Sequence, residues 1–171
     1  LVAILRGLRP DEALDIGHAL HHAGFEAIEV PLNSPDPFRS IEQLAKALPG
    51  ALVGAGTVVD PQDVARLADS GGRLLVSPNV DERVLARAAE FGMVTMPGVF
   101  TATEAFLALR CGASALKFFP ASTLGPEGIA ALRAVLPKET VVGAVGGVSE
   151  DNFAGYIKSG VSAFGIGGSL Y

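Results

Sequence analysis

The stretch Ala115-Leu116-Lys117-Phe118-Phe119-Pro120 sets the pattern for the whole chain. It is a short, apolar, β-prone run that stops at a proline and is followed by an amphipathic helix from Pro126 to Val135. The same unit recurs on both sides. Upstream, the strand runs are Val2–Leu5, Ala27–Pro31, Leu52–Thr57, Leu74–Ser77 and Met93–Pro97. Helices are predicted from Pro10 to Ala23, from Pro37 to Leu48, from near Asp60-Pro61, from Asp81 to Glu90 and from Thr101 to Arg110. Thr101 with Glu104 three residues on makes a capping box. Downstream come Val141–Val145, a helix from about Asp151 to Ser159, and Ala163–Ile166. Eight strands alternating with seven helices predict a parallel α/β architecture, and eight is the number that closes a (β/α)8 TIM barrel, here lacking the terminal helix. The competing arrangement is an open doubly wound sheet. It has weak support, because Gly54-Ala55-Gly56-Thr57 lacks the third glycine of a dinucleotide fingerprint.

Composition bounds the rest. The chain has 171 residues, 49% hydrophobic, with 21 glycines, which fits a single domain over residues 1–171 with a substantial core. A net charge of −5 with interspersed signs argues against a general nucleic-acid surface. No apolar run reaches the ~20 residues needed to span a bilayer. No signal peptide precedes the first strand, so a cytoplasmic protein is expected. The lone Cys111 excludes an internal disulfide, fits a reducing compartment and reads as a small buried residue at a helix end. Leu1 in place of Met suggests that the chain begins inside a longer protein.

Lysine is almost never buried unless something holds it. Of the four lysines, Lys46 falls on an amphipathic helix, Lys138 in a loop and Lys158 in the last turn of a helix. Lys117 alone sits inside a strand. It is either a desolvated amine able to attack carbonyls or a structural lysine snorkelling from the sheet end. Glu29 is its counterpart, the one strand residue among eighteen Asp and Glu. Alternation places Glu29 with Ala27, and Lys117 with Ala113 and Ala115, on faces crowded enough to suit a barrel interior. Ile28, Val30, Leu116 and Phe118 then pack under helices. A buried Glu29–Lys117 ion pair without catalytic work would be a poor stability device, because desolvation offsets the attraction. A barrel's active site lies at the C-terminal strand ends, where the polar residues are Arg6, Glu29, Asn33, Thr57, Ser77, Asn79, Lys117 and Ser169. Gly146-Gly147 and Gly167-Gly168-Ser169 follow the last two strands, where barrels place a phosphate site. His18, His21 and His22 share a helix without further ligands and read as a solvated face, not a metal site.

These stretches resemble the KDPG/KHG aldolase family. The residues that carry the resemblance are Ala3–Gly7, Ile28–Pro35, Gly54–Val58, Ser77–Asn79, Ala115–Pro120 and Ala144–Val148. The resemblance spans the chain and implies a class I aldolase on a (β/α)8 barrel, free of metal and cofactor and usually a homotrimer. Its substrate would be a phosphorylated 2-keto-3-deoxy sugar acid, cleaved to pyruvate and glyceraldehyde 3-phosphate. By position, Lys117 would form the Schiff base and Glu29 would be the general acid/base. Arg6, Thr57, Asn33, Val145 and Phe119 would bind substrate, with Gly146, Gly147, Gly167, Gly168 and Ser169 at the phosphate. Glucose-series members carry Arg and Thr where this chain has Asn33-Ser34, and Pro-Thr-Gly-Gly where it has Ala144–Gly147. Both differences match the galactose series and its 2-dehydro-3-deoxy-6-phosphogalactonate substrate. The last turn departs from that series, whose members tend to carry serine one place before Ser169. The alternatives are the gluconate epimer or 4-hydroxy-2-oxoglutarate as substrate, a barrel sugar-phosphate isomerase or epimerase, and a non-catalytic binding protein.

Overall fold

The computed structural model describes residues 1–168 and 170–171; Ser169, expected at the phosphate, lies outside the described residues. Among the described residues there are nine strands, all parallel, and seven helices, which alternate except where β5 and β6 follow one another. The strands are β1 (Val2–Ile4), β2 (Ala27–Pro31), β3 (Leu52–Gly56), β4 (Leu74–Val76), β5 (Val94–Met96), β6 (Gly98–Val99), β7 (Leu116–Phe118), β8 (Val142–Val145) and β9 (Ala163–Ile166). The helices are α1 (Ala13–His22), α2 (Pro37–Ala47), α3 (Pro61–Asp69), α4 (Glu82–Glu90), α5 (Ala102–Arg110), α6 (Ala121–Arg133) and α7 (Phe153–Lys158).

The strand order is β5-β4-β3-β2-β1-β9-β8-β7-β6. Its two outer members are consecutive in the chain, separated only by Pro97. Proline has no N–H to give a ladder, so the ladder breaks there and β5 pairs with β4 while β6 pairs with β7. The carbonyls on either side of the break still bind across it. Ala115 N–H donates to Thr95 (3.1 Å), Lys117 N–H to Pro97 (3.0 Å) and Phe119 N–H to Val99 (3.1 Å). The sheet is therefore a nearly closed barrel, not the open doubly wound alternative.

Sequence boundaries agree with the structure to within a few residues, apart from β6, which lies beyond the expected strand Met93–Pro97, and the start of α6. α6 starts at Ala121 instead of Pro126, because an added turn precedes Gly125, whose φ of 68° and ψ of 168° kink the helix. The Thr101–Glu104 capping box forms in both directions. Cys111 does close α5, but it is half-exposed where a buried residue was expected. Among the described residues no helix is long and apolar enough to cross a membrane.

Packing falls into two shells. Between strands and helices lie large apolar clusters that include Ile28, Val30, Val53 and Leu75 on one side and Leu116, Phe118, Val142 and Phe164 on the other. Inside the barrel Leu74, Val76 and Met96 pack with Val2, Ala27, Leu52, Ala115 and Ala163. Ala27 and Ala115 are thus inward, and Glu29 and Lys117, two residues further along the same strands, follow them one pleat closer to the C-terminal mouth.

Candidate active site

Glu29 and Lys117 are the only acidic residue and the only lysine in any described strand. Both are buried, at 4% and 7% exposure. In register Glu29 lies between Ile4 and Gly54, and Lys117 between Gly98 and Gly143, so each charged side chain has a glycine beside it. The space left by Gly143 is filled by the Met96 methyl. The Lys117 ammonium nitrogen sits 5.0 Å from the centroid of the half-exposed Phe119 ring, while Phe118 is wholly buried behind the strand. One phenylalanine roofs the amine and the other seals its back.

The electrostatics follow from this burial. Desolvation drives the Lys117 amine to titrate below its ordinary range; nearby Glu29 opposes the shift and Arg6 adds to it. Desolvation likewise pushes the Glu29 carboxyl up to about 7, against the pull of Lys117 and Arg6. No direct ion pair joins Glu29 and Lys117 among the described residues. Glu29 Oε2 is buried without a hydrogen-bond partner. A buried, unpaired carboxylate oxygen costs stability, and such groups concentrate at functional sites. Burial thus moves both groups toward their uncharged forms, the direction that favours a nucleophilic amine and a proton-carrying carboxyl.

Arg6 links this pair to the rim. Its guanidinium donates to Asn33 Oδ1 at 2.5 Å and to Thr57 Oγ1 at 3.4 Å. Next to it, Gly7 N–H donates to the buried Ser34 hydroxyl at 3.0 Å. Asn33-Ser34 therefore clamps Arg6-Gly7 through two parallel contacts between the β1–α1 and β2–α2 loops. Thr57 has φ 58°, a left-handed conformation that a β-branched residue adopts only under constraint.

A cleft of about 450 Å³ opens beside Arg6, lined by Ile4, Val145, Gly146, Gly147, Val148, Ser149, Gly165, Gly167 and Gly168. Val145 shares its face with Gly143, the strand neighbour of Lys117, and stands one pleat closer to the mouth. Gly146 and Gly147 have φ of 89° and 76°, so the turn needs glycine at both positions. Asn152 holds this turn, donating to Gly147 O and accepting from Ser149 N–H, each at 2.9 Å.

The structure thus gathers Arg6, Asn33 and Thr57 around the mouth, Glu29 and Lys117 beneath it, and four of the five expected phosphate-turn residues at one cleft. Ser77 stays apart, its hydroxyl donating to Asn79 O at 2.8 Å in a local turn. Sequence reasoning passed over Asn152, Ser149, Ile4 and Gly165. The Ser149–Asn152 spacing at a helix start was a readable signal for the first two, whereas the other two look like ordinary strand residues.

Comparison with known proteins agrees with this geometry. A probable 2-dehydro-3-deoxy-6-phosphogalactonate aldolase of Rhizobium meliloti is 63% identical over all of this chain and 81% of its own length. The 2-dehydro-3-deoxy-6-phosphogalactonate aldolase of Escherichia coli is 51% identical over all of this chain and 84% of its own. Among solved structures, one described as native KDPGal superposes with a TM-score of 0.98 at 50% identity, covering 99% of this chain and 83% of that one. A KDPG aldolase from Legionella pneumophila, with pyruvate captured as a covalent carbinolamine, superposes at 0.88 with 27% identity, covering 97% of this chain and 81% of that one. The family model for KDPG and KHG aldolase matches residues 1–171, and the chain belongs to that aldolase family.

Proposed function

We propose that the chain is a class I aldolase cleaving 2-dehydro-3-deoxy-6-phosphogalactonate to pyruvate and D-glyceraldehyde 3-phosphate. The observation that carries this reading is the buried Lys117–Glu29 pair under the mouth, next to the cleft between the Gly146-Gly147 and Gly167-Gly168 turns. The relatives named for that substrate, and the carbinolamine seen in the Legionella enzyme, support it. β5 and β6 count as one barrel strand interrupted at Pro97, which makes the architecture a (β/α)8 barrel acting as one domain over residues 1–171. We also place the enzyme in the cytoplasm as a homotrimer.

The Lys117 amine attacks the substrate C2 carbonyl, and the carbinolamine loses water to a protonated imine. Glu29 takes the C4 hydroxyl proton as the C3–C4 bond breaks. The bonding pair flows into the iminium to give an enamine, and the aldehyde product leaves. Glu29 returns its proton to C3, and water hydrolyses the pyruvyl imine to free Lys117. A carboxyl poised at about 7 can both accept and return that proton. Arg6 and Thr57 hold the carboxylate end, with Asn33 fixing Arg6. Phe119 desolvates the amine. The phosphate enters the glycine cleft and meets backbone N–H groups there. Val145 presents an apolar wall at C4, which cannot hydrogen-bond a hydroxyl of one configuration. Supplying both C4 epimers and following pyruvate release tests the assignment. Preference for the galactonate epimer is expected; preference for the gluconate epimer, or turnover of neither, contradicts it.

A further inference from the structure

Gly56 ends β3 beside Glu29 and lies outside the left-handed region, so its backbone does not demand glycine. Glycine weakens a strand interior and often marks a close approach by another group. Other strand glycines accommodate ordinary packing. Gly54 faces the backbone of Leu74, Gly143 faces Met96, and Gly165 faces Val145 and Ile4. Gly56 differs: the three atoms nearest to an added Cβ would all belong to the Glu29 carboxyl, Oε2, Cδ and Oε1. The oxygen closest to that space is the same Oε2 that lacks a hydrogen-bond partner.

We propose that Gly56 is a positioning residue for proton transfer: its missing side chain is the slot that lets the Glu29 carboxyl lie against β3 instead of swinging up to the mouth. A methyl group there evicts the carboxyl. A carboxyl displaced from the slot toward the Arg6 guanidinium or water returns toward its ordinary titration. The inference rests on the aldolase reading only for its kinetic consequence.

The test is Gly56→Ala in the parent and in a Glu29→Ala background, with turnover measured in both and the Glu29 carboxyl titrated by NMR of side-chain-labelled protein. In the parent, kcat should fall about 100-fold or more, the scale of a lost general acid/base. In the Glu29→Ala background the same change should alter the residual rate by less than about twofold, because no carboxyl remains to be displaced. The labelled carboxyl should titrate at least about one unit lower in Gly56→Ala. An unchanged titration, or an equal loss of rate in both backgrounds, overturns the proposal. Should Gly56→Ala fail to fold, the double variant decides. Folding with the melting temperature of Glu29→Ala supports the clash, and failure to fold refutes it. Absence of turnover in the parent would sink the aldolase reading yet leave the titration to judge Gly56.

Discussion

Replacing Glu29 by Gln should make the protein more stable at pH 8 while crippling it as a catalyst. The carboxyl is 4% exposed and is pushed up to about 7 from an ordinary value of 4.5. Between those two values the folded protein holds a proton that the unfolded chain has released, so stability falls as pH rises through the window. The rise from 4.5 to about 7 corresponds, at about 1.36 kcal/mol per tenfold change in proton affinity, to a cost on the order of 3 kcal/mol, absent below pH 4.5 and fully present above pH 7. Glutamine keeps the shape without the titration. Lys117 adds to the effect in the same direction, because the variant removes the carboxylate that holds the amine's pKa up. The assay is urea unfolding followed by circular dichroism at one protein concentration, from pH 4.5 to 8. The stability difference, variant minus parent, should climb by about 3 kcal/mol across that range while kcat falls about 100-fold or more. A difference that stays flat with pH would mean that Glu29 is not a desolvated acid, and the proton-shuttle role would go with it.

Two further outcomes follow from the rim. Thr57→Gly should relieve the left-handed strain at φ 58°, raising stability by about 1 kcal/mol and the melting temperature by about 2–4 °C. It should also raise KM, since Arg6 loses a partner; a lower melting temperature with unchanged KM would contradict this. Val145→Thr places a hydroxyl on the cleft wall and should shift the ratio of kcat/KM for the two C4 epimers toward the gluconate form by about tenfold. A ratio unchanged by the substitution would remove Val145 from epimer selection.

Much of this architecture is legible in the sequence because its signals are local. The capping box at Thr101–Glu104, the proline stops and the short apolar run Ala27–Pro31 each depend on a few neighbouring residues. The oddity of Lys117 and Glu29 is legible for the same reason, since a charge inside a strand violates a local rule. What the sequence hides depends on three-dimensional closure. The expected strand Met93–Pro97 stops at the broken ladder, and only the neighbours on either side reveal that Gly98–Val99 beyond it forms a further strand, β6, facing a different partner from β5. The turn at Ala121 before Gly125 lacks any helix-start signal beyond the proline ahead of it. Gly56 is invisible as a functional residue until the Glu29 carboxyl is seen filling its place, because a glycine in a strand otherwise reads as a weak strand residue. Asn33 illustrates the middle case: its place at the mouth was readable, but its hydrogen bond to Arg6 was not.

The central claim is that Lys117 is the imine-forming amine, and trapping it is the most direct measurement. Incubation with pyruvate and borohydride, followed by peptide mass mapping, should place one reduced pyruvyl adduct on the peptide containing Lys117. Lys117→Ala should abolish both the adduct and cleavage. An adduct on Lys46, Lys138 or Lys158, or turnover that survives in Lys117→Ala, would contradict it.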